Sequence, residues 1–344
     1  MEIREYIEQR EKENLSSFAK LAIKSKGRAI FEPEDPIRTC FMRDRDRVIH
    51  SKAFRRLKHK TQVYISPGND HFRTRLTHTL EVNQIAKTIG KGLRLNEDLI
   101  EAIALAHDVG HTPFAHSGEE VLNELMTDGF RHNENSVRVL TEVEQRSEGR
   151  GLNLSKEVLD GVLNHRGFDK DINRAETLEG QVVRLSDKVA YVQHDIDDSI
   201  RGGILRKCDL PKEPLEILGE SHSARITTLV TDAIKHGFHE LENSKEPKIN
   251  LSPKIKKALI DLRTFMFEHI YNGEVCSKER ESAMYVIEHL FKYYKKNPER
   301  LPLFYQTIAK TEGIERGVAD YISGMSDNYC VTIFKELVIP RSFL

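Results

Sequence analysis

Two imidazoles and two carboxylates, spread from His78 to Asp187, constrain this chain more than any other feature. In TRLTHTLEVNQIAKTIGKGLRLNEDLIEAIALAHDVGH, which begins at Thr74, His78 opens one helical pattern. His107 and Asp108 close the next. Leu80, Ile85, Ile89 and Leu93 recur at helical spacing, as do Leu99, Ile103 and Ala106. Asp187 follows far downstream in RLSDKVAY. Delivered from three helices, these four side chains can surround one hard or borderline divalent cation. A bare His-Asp doublet is as easily a helix end with a solvated imidazole. His78 upstream, the apolar helix leading in and HDVGHTPFAH following argue against that plainer account. Gly110 and Pro113 end the helix just past the doublet, which leaves the ligands beside a turn that a substrate can approach.

The residues after the doublet add acid–base chemistry. His116 and Glu119 are three apart and share a face of a starting helix. Ser117 is a candidate cap for that helix, with Glu120 reaching back as in a capping box. Glu119 is alternatively a first-turn carboxylate favoured by the helix dipole. His132 opens HNENSVRVL and is alternatively a cap or surface residue. Gathered near a metal, His116, Glu119 and His132 serve proton transfer and phosphate contact. Asp187, Tyr191 and Asp195 fall at i, i+4 and i+8, with Lys188 beside the first. One stripe then offers a metal ligand, an aromatic plate, an acceptor and a cation; its bland alternative is a polar, solvated face. His194, Asp197 and Asp198 read as solvated or structural. His111 and His165 are ambiguous and stay outside the expected metal shell.

The 344 residues suffice for one large or two smaller domains. A hydrophobic content of 38% with 31% charged residues suits helices with wide polar faces. The formal charge of −1 gives no global bias toward nucleic acid. Cys40, Cys208, Cys276 and Cys330 are isolated, which fits reduced thiols and a cytoplasmic setting. MEIREYIEQREKEN is charged from its second residue and does not read as a signal peptide, and no apolar run is long enough to cross a bilayer.

Along the chain, residues 1–26 read as a polar helix with a sparse stripe of Tyr6, Ile7, Leu15, Phe18 and Leu21. FEPEDPIRT is a loop, and 42–64 a dense basic segment that fits phosphate or nucleic acid. Residues 66–72 read as a turn or short hairpin. Helices are expected at about 74–93, 96–109, 117–128 and 132–146, then a glycine-containing loop, then a helix at SKEVLDGVLNH. A long helix covers 176–201 and ends at paired glycines. Further helices fall near 221–242, 253–271, 277–295 and 315–336, before an extended tail at LVIPRSF. With few strand patterns and no internal repeat, the fold class is all-α. The expected organisation is an arm at 1–30, a catalytic core at 31–205 and a C-terminal helical region at 206–344 packed on the core.

The H…HD…D pattern resembles the HD-domain metal phosphohydrolases. RTCFMRDRDRVIHSKAFRRLKHKTQVY, RTRLTHTLEV, HDVGHTPFAHSGE, FRHNENS and SDKVAY together are similar to the deoxynucleoside triphosphate triphosphohydrolases, the dGTPase-like enzymes, from about residue 35 to 200, with a weaker echo at GMSDNY. The resemblance implies an HD-domain helical bundle that releases tripolyphosphate from dNTPs. It implies His78, His107, Asp108 and Asp187 as metal ligands and His116, Glu119 and His132 as the catalytic group. Arg75 and Lys188 match triphosphate contacts. Gln62 and Asp195 match residues on the sugar 3′-hydroxyl, and Tyr191 matches the aromatic that leaves no room for a 2′-hydroxyl. It also implies a homo-oligomer, possible as a hexamer, and single-stranded DNA binding. Asp44 and Asp46 alternate with the arginines of the basic segment, so that binding is expected to be weak at most.

Manganese or magnesium is the first expectation for the metal, with iron, nickel, cobalt or zinc also compatible with nitrogen and oxygen ligands. Two other functions compete. One is another HD phosphohydrolase acting on nucleoside monophosphates or an alarmone, which needs the metal set but not Gln62, Tyr191 and Asp195 together. The other is a nucleotide or single-stranded DNA binding module with a vestigial site, which the intact ligand set and the His116–Glu119 pair argue against.

Overall fold

A helix that is apolar on most sides must be wrapped by others, and past its acidic first turn Glu97–Ala106 is such a helix, with Leu99, Ile100, Ala102, Ile103, Ala104, Leu105 and Ala106 all buried and Glu101 partly exposed. Its start is fixed by Asn96, whose side-chain oxygen accepts from the backbone of Asp98 at 3.1 Å and Leu99 at 3.3 Å. The computed structural model describes residues 2–64, 72–146, 149–167, 174–271 and 274–340. In chain order its helices are α1 (Ile3–Asn14), α2 (Cys40–His50), α3 (Lys52–Arg56), α4 (Arg75–Gly92), α5 (Glu97–Ala106), α6 (Ala115–Leu125), α7 (His132–Arg138), α8 (Lys156–Leu163), α9 (Leu178–Arg201), α10 (Lys212–Leu218), α11 (His222–Asn243), α12 (Pro253–Met266), α13 (Glu274–Lys296), α14 (Leu303–Glu312), α15 (Ile314–Ser323) and α16 (Asp327–Val338). The fold is all-α; the sheet among the described residues is one two-stranded ladder pairing Gln145–Arg146 with Gly149–Arg150.

Helix α5 packs against α2, α4, α8 and α9, and α4 also packs along α9. Their side chains, with those of α11 and α12, form the larger apolar core. A smaller core lies where α6 meets α13, α15 and α16, around Leu122, Ile287, Leu290, Phe291 and Ile322. Asp108 lies just past the end of α5, the central helix of one core, and Phe114 belongs to the other core. The chain between them is where the two cores meet.

Several local expectations shift. Leu80 is half exposed and Val82 takes its place on the buried face of α4. Residues 132–146 are not one α-helix: α7 gives way at Val139–Val143 to a π-helical turn and then to the ladder. The stretch 315–336 divides into α15 and α16 at Gly324, and α14 precedes it. Ser117 does not cap α6; it lies two residues inside, because Phe114 and Ala115 take left-handed backbone angles of +57° and +54° and the helix starts at Ala115. The N-terminal helix is shorter, and its buried residues are Glu8 and Glu11 while Tyr6 is half exposed. Glu11 accepts from Ala22 N at 2.7 Å and Asn96 Nδ2 at 3.1 Å, and burial pushes its carboxyl up to about 7. Leu337 and Val338 belong to α16 rather than to a tail. The turn expected at 66–72 lies outside the described residues apart from Phe72. Among the described residues no helix is long and apolar enough to cross a membrane.

Candidate active site and metal centre

Helix α4 begins with Arg75 and His78 one turn apart and both buried. Helix α5 ends at Ala106, with His107 and Asp108 immediately past its end, and α9 presents Asp187 from its middle. His78, His107 and Asp108 offer ligand atoms that lie within 4.8 Å of one another. Asp187 Oδ1 stands 3.1 Å from His78 Nε2 and 3.8 Å from His107 Nε2. His107 Nε2 is 3.5 Å from Asp108 Oδ2. Because His107 Nδ1 lies 2.7 Å from the Ala104 carbonyl, which can only accept, Nδ1 carries the proton and Nε2 faces the carboxylates. That Nε2 is buried with no hydrogen-bond partner among the described residues. Desolvation pushes both carboxylates up, but neighbouring imidazoles, and Arg75 for Asp108, more than offset it: Asp187 is held at about 2 and Asp108 well below its usual range. The unpartnered Nε2 of His107 and the Nε2 of His78, which meets Asp187 at 3.1 Å, face two carboxylates, a donor set that fits a divalent cation.

The turn that carries the doublet is held from α7. Ser136 Oγ donates to His107 O at 2.8 Å and accepts from Gly110 N at 3.0 Å, and Asn135 Nδ2 donates to Gly110 O at 2.7 Å. A Cβ on Gly110 would stand 2.1 Å from Ser136 N, so this close approach requires glycine.

His116, Glu119 and His132 come together. His132 Nδ1 donates to Glu119 Oε2 at 2.8 Å, His132 N donates to Oε1 at 3.1 Å, and His116 Nδ1 stands 3.5 Å from Oε2. Arg166 Nη1 adds a cation 3.2 Å from Glu119 Oε1. Burial pushes Glu119 up, yet the hydrogen bonds and charge of His116 and His132 hold it far below the usual carboxylate range. His132 is buried, whereas the His116 side chain is 61% exposed.

A cavity of about 860 Å³ opens over these groups, within the size range of small-molecule sites. Gln62, Arg75, His78, Asp108, His116, His132, Asp187, Lys188 and Tyr191 line it. Gln62 is buried with its Oε1 unpartnered among the described residues. Asp195 is not on this wall: it is buried on α9 roughly 12 Å along the axis from Asp187. Arg75 reaches Asp108 directly, with Nη1 donating to Oδ2 at 2.7 Å.

Several wall residues lie outside the sequence expectations. His111 and His165 are both buried against Asp108, at 3.5 and 4.0 Å from its Oδ1. Burial, with Arg75 and His132 nearby, pushes His111 well below its usual value, and burial beside His107 takes His165 to about 4. His165 follows an apolar helix just as His107 does, and that shared grammar is the sequence signal that would have found it. Arg166, Arg201, Arg263, Phe267 and Arg280 also line the cavity, the last three from the C-terminal region, and no motif marks them. That region is tied in through Lys60, whose Nζ donates to the carbonyls of His111 and Ser323. Complete burial pushes Lys60 down to about 7. Asp327 Oδ1 accepts from Phe114 N at 3.0 Å while Oδ2 accepts from Thr61 N at 2.8 Å.

The HD domain family matches residues 75–192, and the phosphohydrolase-associated domain matches residues 249–336. A deoxyguanosinetriphosphate triphosphohydrolase-like protein of Clostridium tetani is 60% identical over 92% of this chain and 90% of its own length. One of Clostridium perfringens is 54% identical over 99% of each chain. One of Caldanaerobacter subterraneus is 52% identical over 99% of this chain and 97% of its own. The crystal structure of a phosphohydrolase from Bacteroides thetaiotaomicron shares the fold, with a TM-score of 0.50 at 16% identity over 86% of this chain and 68% of that one.

Proposed function

Since the chain belongs to the deoxyguanosinetriphosphate triphosphohydrolase-like family of HD-domain phosphohydrolases, we propose that its reaction is dNTP plus water giving deoxynucleoside plus tripolyphosphate, serving control of the dNTP pool. The observation that carries this is one cavity lined by His78, Asp108 and Asp187, with His107 packed behind them, and by Gln62, Lys188 and Tyr191. A metal and a cationic wall suit a triphosphate, and an aromatic one turn from Asp187 suits a deoxyribose.

His78, His107, Asp108 and Asp187 would hold the cation. When bound there, a divalent cation polarises a phosphoryl oxygen and makes water a better nucleophile. The remaining work falls to the chain. Attack at the α-phosphorus breaks the bond to the 5′-oxygen, which leaves as an alcohol and needs a proton. His116 is exposed to the cavity and backed by Glu119, so it supplies that proton. Glu119 also orients buried His132, which contacts the α-phosphate. Lys188 and the guanidinium of Arg75 offset phosphate charge. Asp195 remains proposed for the 3′-hydroxyl together with Gln62, and needs to approach the wall to act. Tyr191 crowds the 2′ position.

The expected organisation into 1–30, 31–205 and 206–344 is retained in this proposal, with the last region supplying Arg263, Phe267 and Arg280 to the cavity. So are a cytoplasmic homo-oligomer and weak binding of single-stranded DNA. Half-exposed Ile3 and Tyr6 and fully exposed Phe31 support the first. The second is weak because Arg43 and Arg47 pair with Glu32, and Arg45 with Asp46 and Asp98. The test of the main proposal is incubation with Mn²⁺ and a panel of dNTPs, NTPs, nucleoside monophosphates and a guanosine tetraphosphate, with products identified by chromatography. Tripolyphosphate from dNTPs alone supports it. Orthophosphate from monophosphates, or turnover of the alarmone, points to the other HD chemistry.

A further inference from the structure

Helix α8 stops at Leu163, and the residues that follow are fixed from outside it. Asn133 Nδ2, next to His132 on α7, donates to Leu163 O at 2.7 Å. His165 is buried, and its Nδ1 donates to Val162 O at 2.6 Å. Gly167 O accepts from Arg184 of α9, from Nε at 3.2 Å and from Nη2 at 3.0 Å. Gly167 has φ of +103°, and a Cβ there would stand 3.1 Å from Arg184 Nη2, so the turn requires glycine. Arg166 lies between these anchors, and its side chain therefore leaves the backbone at a set place.

That side chain lines the cavity and sets Nη1 3.2 Å from Glu119 Oε1. An arginine beside a carboxylate is ordinarily a solvated surface pair that contributes little. Here the partner is not at the surface: the Glu119 side chain is 8% exposed and that of Arg166 46%. Glu119 also has partners without Arg166. His132 N donates to its Oε1 at 3.1 Å and His132 Nδ1 to its Oε2 at 2.8 Å. The arginine is thus not required to satisfy the carboxylate. A planar fork held at one corner keeps further donors for an oxygen acceptor in the cavity. His116 Nδ1 stands 3.5 Å from Glu119 Oε2, so Arg166 and the proposed proton donor flank one carboxylate and serve one phosphoryl group.

We propose that Arg166 is a further catalytic residue, whose guanidinium contacts the non-bridging oxygens of the α-phosphoryl group while Glu119 holds its other side. The inference rests on the proposed hydrolysis at the α-phosphorus. Water adds to that phosphorus, the bond to the 5′-oxygen breaks, and that oxygen takes its proton from His116. Arg166 exchanges no proton. It offsets the charge spread over the equatorial oxygens as the bond breaks. Lysine replaces it in part only, because an ammonium is a point charge and cannot span carboxylate and phosphate as a fork does.

The test compares full-length, Mn²⁺-loaded wild type, R166Q and R166K. Tripolyphosphate binding is measured by calorimetry, and dGTP hydrolysis is followed across the pH range in which histidine titrates. R166Q should lower kcat by about 10²-fold, the scale of one donor lost from a developing oxyanion, with KM changing less. It should weaken tripolyphosphate binding about tenfold or more, the scale of a lost charge-assisted hydrogen bond. R166K should recover part of both. Unchanged tripolyphosphate affinity, with kcat lowered and the acid limb of the pH profile displaced, would show that Arg166 acts only through Glu119 and would overturn the contact. An unchanged kcat in R166Q overturns it as well. A wild type that turns over no dNTP, with tripolyphosphate still weakened in R166Q, sinks the proposed reaction and spares the phosphate contact.

Discussion

Arg75 Nη1 donates to Asp108 Oδ2 at 2.7 Å, and both side chains are buried. In the proposed site this carboxylate would therefore serve a cation and a fixed guanidinium at once. Removing it leaves Arg75 buried without its charge partner, a change that costs about 3–5 kcal/mol. Asp108→Ala is expected to abolish hydrolysis and bound metal and also to lower the melting temperature. Metal content by plasma mass spectrometry, read beside the melt, checks this. Full occupancy and activity in the variant would remove Asp108 from the site.

Tyr191 lies one turn from Asp187 on α9 and lines the cavity. Wild type should favour dNTPs over NTPs, and Tyr191→Ala should relax that ratio by about tenfold or more, the scale of a lost steric contact. Equal turnover of GTP and dGTP by wild type would refute the role given to this ring.

Glu32 gathers Arg43, Arg47, Arg146 and Asn153. Burial alone would raise its carboxyl, but the hydrogen bonds from Arg47, Asn153 and Arg146 hold it at about 2. Its contribution to stability is complete above the unfolded value of about 4.3 and disappears as pH falls from there through about 2. Glu32→Gln should lower stability by about 1.5–3 kcal/mol at neutral pH. It should also flatten the acid limb between those pH values. Denaturation curves at a series of pH values measure both, and an unchanged acid limb would show that Glu32 is not held down in this way.

Much of this was legible in the sequence. The helical spacing of α4, α5 and α9 located their spans, and the doublet located the turn beyond α5. The start of α6 is not legible in the sequence, because nothing local marks Phe114 as left-handed; its backbone N–H is held by Asp327 of α16, 213 residues away. The inward carboxylates of α1 defeated a search for an apolar stripe, since Glu11 is buried to receive Ala22 N and Asn96. His111 stayed ambiguous because a single imidazole becomes informative only when tertiary structure stacks it on His132. Arg263 and Arg280 look in sequence like any solvated helix cation.

Asp327 links Thr61, beside Gln62, to the turn that carries His116. Asp327→Ala leaves two backbone donors unsatisfied, costing about 1–3 kcal/mol for each that stays buried. Amide exchange should quicken at Thr61 and Phe114. The kcat should fall well below the melting temperature, with KM changing less. Lost stability with unchanged kcat would make Asp327 a packing residue only.

In the proposed reaction water attacks the α-phosphorus and tripolyphosphate leaves whole. Wild-type protein with Mn²⁺ and dGTP in ¹⁸O-enriched water, with products resolved by chromatography and mass spectrometry, tests it most directly. One ¹⁸O per tripolyphosphate and none in deoxyguanosine is the predicted result. Label in the nucleoside, or release of pyrophosphate with dGMP, would contradict it.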